Sequence, residues 1–131
     1  MPVGNARMLH TQQIHYLRKT IQYNDSGVSG GVLVGTLPVG AVITQILVNI
    51  ATAFNAGTTN TLTIGTTPTG TQIATGGDTA AGATGVKTPT TGLPLTFSAD
   101  TDVYAAYAQA GTAATAGTAT IVISFAVNND K

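Results

Sequence analysis

The clearest alternation in this chain runs from Thr118 to Val127. Ala119, Ile121, Ile123, Phe125 and Val127 take one side, and Thr118, Thr120, Val122, Ser124 and Ala126 take the other. Side chains on a strand point to opposite faces in turn, so the pattern predicts a half-buried β-strand. Leu93, Leu95 and Phe97 repeat the spacing, as do Val103, Ala105 and Tyr107 within a strand predicted over 103–108. A longer apolar run from Ala41 to Thr52 behaves differently. Val42, Ile46, Val48 and Ile50 share one predicted face, and Ile43 and Leu47 occupy the other. A strand apolar on both sides must be covered on both sides, by a second layer of this chain or by a partner subunit.

Turn chemistry separates these runs. Leu37-Pro38-Val39-Gly40 precedes the long strand, Asn24-Asp25-Ser26-Gly27 follows a strand predicted over 12–23, and Asp100-Thr101-Asp102 reads as another turn. Further short strands are predicted over 29–34 and 61–65, with Leu62 and Ile64 inward. In the 12–23 segment His15, Leu17, Lys19, Ile21 and Tyr23 alternate with Ile14, Tyr16, Arg18 and Gln22, and neither set is cleanly apolar. Such a strand belongs at a sheet edge or against another chain; a helix is the alternative reading. Residues 66–92 are low in complexity, with Ile73 and Val86 their only large apolar side chains. A structureless loop of that length is unusual in a compact domain. Short strands around each, joined by a turn at Gly76 to Asp78, are therefore expected, with a small-residue hairpin loop over 111–117. Seven to nine short strands with regularly spaced turns predict a sandwich or jelly roll.

Composition supports this reading. Thr, Ala and Gly make up 60 of the 131 residues, Glu is absent, and Leu and Lys are scarce, which favours strands and turns over helices. The length suits one domain with a proper core. Charged residues are only 8% of the chain and the formal net charge is zero, so the surface is expected to be covered by copies of itself or by a larger assembly. An apolar fraction of 43% argues against disorder. No 18-residue apolar run predicts a membrane span, and no basic-then-apolar leader predicts export. Without Cys, neither a disulfide nor a thiolate metal site is possible.

Candidate chemistry is sparse. Gly27-Val28-Ser29-Gly30-Gly31 matches the nucleophile-elbow pattern G-x-S-x-G. That device needs a following helix and a downstream His, and both histidines, His10 and His15, lie upstream. An odd separation places the two histidines on opposite faces of a strand, where they cannot share a metal. Asp100 and Asp102 supply too few oxygens for a calcium site and read as turn residues. Glycoside hydrolysis would need a positioned acid pair and aromatic platforms. Asn24-Asp25-Ser26 fits the N-glycosylation pattern, which without a leader is incidental. Arg7, Arg18 and Lys19 are three of the five basic residues. Three charges without interleaved aromatics give little nucleic-acid affinity, so contact with an acidic protein surface is the better reading, beside that of a solvated strand face. These observations predict neither an enzyme, nor a cofactor or metal, nor a nucleic-acid or membrane partner.

The block TLPVGAVITQILVNIATAFNAGTTNTLTIGT, from Thr36 to Thr66, resembles tailed-bacteriophage head-decoration or capsid-cement proteins. The shared style is an "LP-x-G/A-A-x-I/V" approach to a strand followed by a "TAFN-G-TNTLTIG" loop and strand. Ala-Asp-Thr-Asp-Val-Tyr-Ala at 99–105 and Gly-Thr-Ala-Thr-Ile-Val-Ile-Ser-Phe at 117–125 fit the same style. The resemblance spans about Gly35 to Val127. It implies an all-β, single-domain, jelly-roll-like β-sandwich that forms a homo-oligomer (trimer or dimer). It also implies binding to the major capsid protein on the outer capsid surface of a virion. The alternative is a tail-fibre or receptor- or carbohydrate-binding sandwich, which would need aromatics exposed in loops. The expected organisation is an N-terminal arm over 1–11 and a sandwich domain over 12–131. Arg7, His10, His15, Arg18 and Lys19 are the capsid-contact candidates.

Overall fold

Eight strands and one helical turn build two packed antiparallel sheets in the computed structural model, which describes residues 14–90 and 95–127. The strands are β1 (Ile14–Gln22), β2 (Val32–Leu37), β3 (Val42–Thr52), β4 (Thr59–Gly65), β5 (Gly85–Lys87), β6 (Leu95–Thr96), β7 (Thr101–Ala110) and β8 (Thr118–Ala126); α1 is Gly76–Thr79. The first sheet has the order β1-β8-β3, with β5 and β6 both pairing along the far edge of β3. The second has the order β2-β7-β4. An isolated bridge between Ile64 and Ala74 closes the far edge of β4.

The pairings nest. β1 pairs with β8, β2 with β7, β3 with β6, and β4 with the Ala74 segment. A ribbon rolled up in this way is a jelly roll, so the expected fold class holds. The edge position predicted for the 12–23 segment also holds: β1 hydrogen-bonds only to β8, and its other side has no strand partner among the described residues.

The core lies between the sheets. Ala119, Ile121, Ile123 and Phe125 point inward from β8, as their alternation requires. Leu62 and Ile64 of β4 face them, with Val103, Ala105 and Tyr107 of β7, all essentially without exposed surface. Full burial of one such aliphatic side chain contributes about 1.5–3 kcal/mol. Leu17 from β1 packs directly over β2 at Gly35. A Cβ on Gly35 would lie 2.7 Å from Leu17 Cδ2, so a larger residue there would make the Leu17 side chain shift.

Three local expectations need correction. The first concerns β3. Its pairing with β8 slips between Ile43 and Gln45, so one extra residue, Thr44, is accommodated as a bulge. The extra residue inverts the alternation upstream of it. Ile43 therefore joins Ile46, Val48 and Ile50 on the buried face, while Val42 moves to the outer face and is half-buried. The second concerns 100–102. Only Asp100 lies outside the strand; β7 begins at Thr101, and Asp102 pairs with Thr36 of β2. The third concerns the turn at Gly76 to Asp78, which is one turn of helix. The Thr75 hydroxyl accepts from the Asp78 amide at 3.3 Å and the Asp78 carboxylate accepts from the Thr75 amide at 3.0 Å, a reciprocal capping box. Ala80 ends the turn in the left-handed region, at φ 45°. Around it, Val86 sits in a short strand as expected, whereas Ile73 lies in a bend beside a single bridge residue, Ala74, and not in a strand. The arm over 1–11 and the position of Leu93 lie outside the described residues.

Candidate interaction surface

No group of three or more His, Asp or Glu side chains is placed to hold a metal ion among the described residues. Ser29 sits in a run of turns that leads into strand β2 rather than a helix, so it lacks the elbow's setting. The polar side chains that do converge serve the fold. Asn55 Oδ1 accepts from the amides of Thr115 and Ala116, at 2.8 and 3.0 Å, and so clamps the loop between β7 and β8. Asn60 Oδ1 accepts from the Ala56 amide at 2.8 Å and from the Tyr107 hydroxyl at 2.6 Å. Asp25 accepts from the Gln22 amide at 2.8 Å and closes the turn after β1.

Burial alters the titration of Tyr107. Desolvation raises its pKa above the ordinary 10.0, because the phenolate would lie against Phe54, 4.5 Å away between ring centroids. The folded state thus holds this proton to higher pH than the unfolded chain. The stability so contributed is fully present below the unfolded pKa of about 10 and is lost as pH rises through the folded value. Tyr107→Phe is expected to cost about 1 kcal/mol at neutral pH, by removing one of the two hydrogen bonds that Asn60 Oδ1 accepts, and to soften the decline above about pH 10. Urea unfolding at several alkaline pH values checks both parts; parallel curves for the two proteins would contradict the second.

The sequence-predicted contact residues do not form one patch. Arg7 and His10 lie outside the described residues. His15 stands opposite Phe125 and stacks on it at 5.9 Å, on the inward side of β1 near the end of the sandwich. Lys19 shares that side, whereas Arg18 faces outward with Ile14, Tyr16 and Thr20. Both cations are exposed, and neither has a hydrogen-bond or ion-pair partner among the described residues. Lys87 differs: its ammonium donates to the carbonyls of Ala80 and Ala83, both at 3.2 Å.

The outer face of the first sheet is the surface that residue-by-residue inspection of the sequence missed. The register sets Ile14 beside Ala126 and Val42, Arg18 beside Val122 and Leu47, and Thr20 beside Thr120, Asn49 and Val86. Ile14, Tyr16 and Val86 are 60, 65 and 59% exposed. Arg18 is the only charge on this face among the described residues. Leu47 is the outward apolar position of β3, and no layer of the described chain lies over it. Half of the expected double coverage is thus supplied within the subunit and half is not. The readable signal was Ile14 and Tyr16 standing out of phase with Leu17 and Ile21.

The outer face of the second sheet has a different character. Asp102 on β7 accepts from Thr36 Oγ1 at 2.7 Å and from the Tyr104 hydroxyl at 3.4 Å. Leu33, opposite Tyr104 on β2, is 51% exposed. Asp100 accepts from the Val39 amide at 2.9 Å and so holds the turn between β2 and β3. Tyr104, Tyr107 and Phe54 offer no aromatic exposed in a loop for a carbohydrate: Tyr107 and Phe54 are in the core, and Tyr104 is half-buried on a strand.

No family model and no curated protein matches this chain. Solved structures do. The fold is similar to a chain of the cyanophage Pam1 capsid asymmetric unit, with a TM-score of 0.72 and 19% identity over 91% of this chain and 88% of that one. It is similar to a chain in the acid-stable capsid of Helicobacter pylori bacteriophage KHP30, at 0.65 and 15% over 89% and 94%. It is also similar to a chain in the capsid of Ralstonia phage GP4, at 0.58 and 16% over 91% and 86%. At these identities the likeness establishes the fold, and it does so over nearly the whole length of each chain: this is a β-sandwich of a kind found in phage capsids.

Proposed function

We propose that this chain is a structural, non-enzymatic virion protein that decorates and stabilises the outer surface of a phage capsid as a homo-oligomer. The observation that carries the reading is the near full-length match to chains taken from three phage capsids. The outer sheet face agrees with it, being nearly uncharged and without a covering layer among the described residues. A subunit's own contact with a shell can fall below the roughly 1,000 Å² expected of a stable pair, because an oligomer that engages several neighbouring capsid subunits gains avidity. A protein that binds only the assembled shell also shifts the equilibrium toward assembly.

The arm over 1–11, with Arg7 and His10, is the segment assigned to the major capsid protein in this reading. The test is add-back of purified protein to particles stripped of it. Wild-type protein should bind at fixed copy number and raise the temperature at which the shell breaks. A chain lacking residues 1–13 should keep its unfolding midpoint but lose occupancy by about tenfold or more, as each lost contact is multiplied across the oligomer. Full occupancy by the truncated chain would remove the arm from the interface. Failure of the wild type to bind would remove the decoration role itself.

A further inference from the structure

The geometry points to a head-to-tail interface in which the outer face of the β1-β8-β3 sheet seats against the outer face of the β2-β7-β4 sheet of a second copy, with Arg18 meeting Asp102. This deepens the homo-oligomer reading above and rests on it. Two faces on opposite sides of one sandwich carry complementary content. The first has exposed apolar side chains, Ile14 and Tyr16, around one unpartnered cation. The second has an exposed leucine, Leu33, and a half-buried tyrosine, Tyr104, around one carboxylate.

Asp102 is suited to the role. Its two oxygens are held by Thr36 and Tyr104, so the carboxylate is already oriented. Each oxygen accepts one bond and retains capacity for another, and a guanidinium needs one acceptor site on each oxygen for a forked contact. Arg18 brings that fork from a strand edge, where Lys19 points to the other side of the sheet and cannot substitute. Leu47 and Val122, beside Arg18, supply the apolar surface that a neighbour would cover.

The second copy is favoured over other occupants by charge. Asp102, on the opposite face of every copy, is a carboxylate always available to Arg18. A face-to-face pairing of two first sheets would instead bring two arginines together without an acid. Contact between different faces is heterologous, and it closes as a ring or grows as a filament rather than forming a two-fold dimer. Because the two faces lie on opposite sides of the sandwich, the interface predicts an open stack that passes beyond two copies as concentration rises.

The experiment measures the mass of purified full-length protein in solution, without capsid, across a dilution series at low and high salt. The wild type should pass beyond two copies as concentration rises, and weaken as salt rises. Arg18→Asp and Asp102→Arg should each raise the dissociation constant by about tenfold or more, and the double exchange should restore most of it. Both positions are exposed strand residues, and unchanged circular dichroism confirms folding of the variants. A wild type that stays monomeric or stops at a dimer at every concentration overturns the proposal, as does an assembly that survives both single reversals or a double exchange that rescues nothing. Capsid occupancy is scored separately. A wild type that is monomeric in solution, but whose capsid binding is lost in Arg18→Asp, assigns this face to the shell instead. An assembly that forms in solution and fails to bind capsid preserves this interface and removes the decoration role.

Discussion

Replacing Gly117 by valine is expected to destabilise the protein by about 2–6 kcal/mol, a large share of the stability of a domain this size. Gly117 opens β8 with φ at 153°, where a side chain brings strain. A Cβ there would also run into the Phe54 ring, approaching Cγ to 2.6 Å and Cε2 to 2.8 Å. The ring cannot retreat, because Phe54 is 1% exposed and lies 4.5 Å from the Tyr107 ring. Nor can the backbone easily lift, since the Gly117 carbonyl accepts from the Tyr23 amide at 3.1 Å and so ties the β8 start to the end of β1. Equilibrium unfolding in urea or guanidinium measures the loss. A midpoint within error of the wild type would show that this contact is not tight.

Phe54→Ala is the second large effect, with an expected cost of about 3–5 kcal/mol from lost burial and an incompletely filled cavity. Its ring fills the end of the sandwich between Tyr107 and Gly117, and its amide donates to the Ala81 carbonyl at 3.0 Å. The two sites are in contact, so their effects should not add. Gly117→Ala should cost less in a Phe54→Leu background than in the wild type, because the smaller side chain vacates the space the new methyl needs. The backbone strain remains in both. Strict additivity in the double-mutant cycle would show that strain alone, and not the ring, makes glycine necessary.

These two residues also explain part of the resemblance on which the functional reading began. The stretch around Thr52-Ala53-Phe54-Asn55 carries no chemistry. Phe54 plugs the sandwich, Asn55 clamps the β7–β8 loop, and Asn60 braces Tyr107 while closing its own loop. A pattern shared in style with capsid-bound proteins is thus a pattern of fold-making side chains. It speaks for the jelly roll directly and for the virion only through the company that this fold keeps.

The strands with strict alternation were legible because one face of each is buried and a period of two is sufficient to say which. β8 and the inward set Val103, Ala105 and Tyr107 of β7 lie as predicted. The mixed pattern of β1 was equally informative, since a strand with no clean apolar side has no place in a sheet centre. The misassigned residues were those where spacing along the chain ceases to count pairing partners. The bulge at Thr44 arises from the register against β8, some eighty residues away, and no local feature of Val42 to Gln45 announces it. The helical turn at Gly76 depends on a two-way cap between Thr75 and Asp78, which a turn reading of the same three residues does not exclude.

By itself, then, the amino-acid sequence determined the all-β class, the edge character of β1, the inward faces of the strictly alternating strands and the low charge of the chain. Each follows from local periodicity or composition. The tertiary structure decided which candidate residues act together. It split Arg18 from Lys19 onto opposite faces of one strand, aligned Arg18 with Leu47 and Val122 from strands remote in sequence, and set Asp102 on the reverse side of the molecule. A surface is assembled from register between distant strands, and register is fixed by the packing of the whole sandwich rather than by any segment within it.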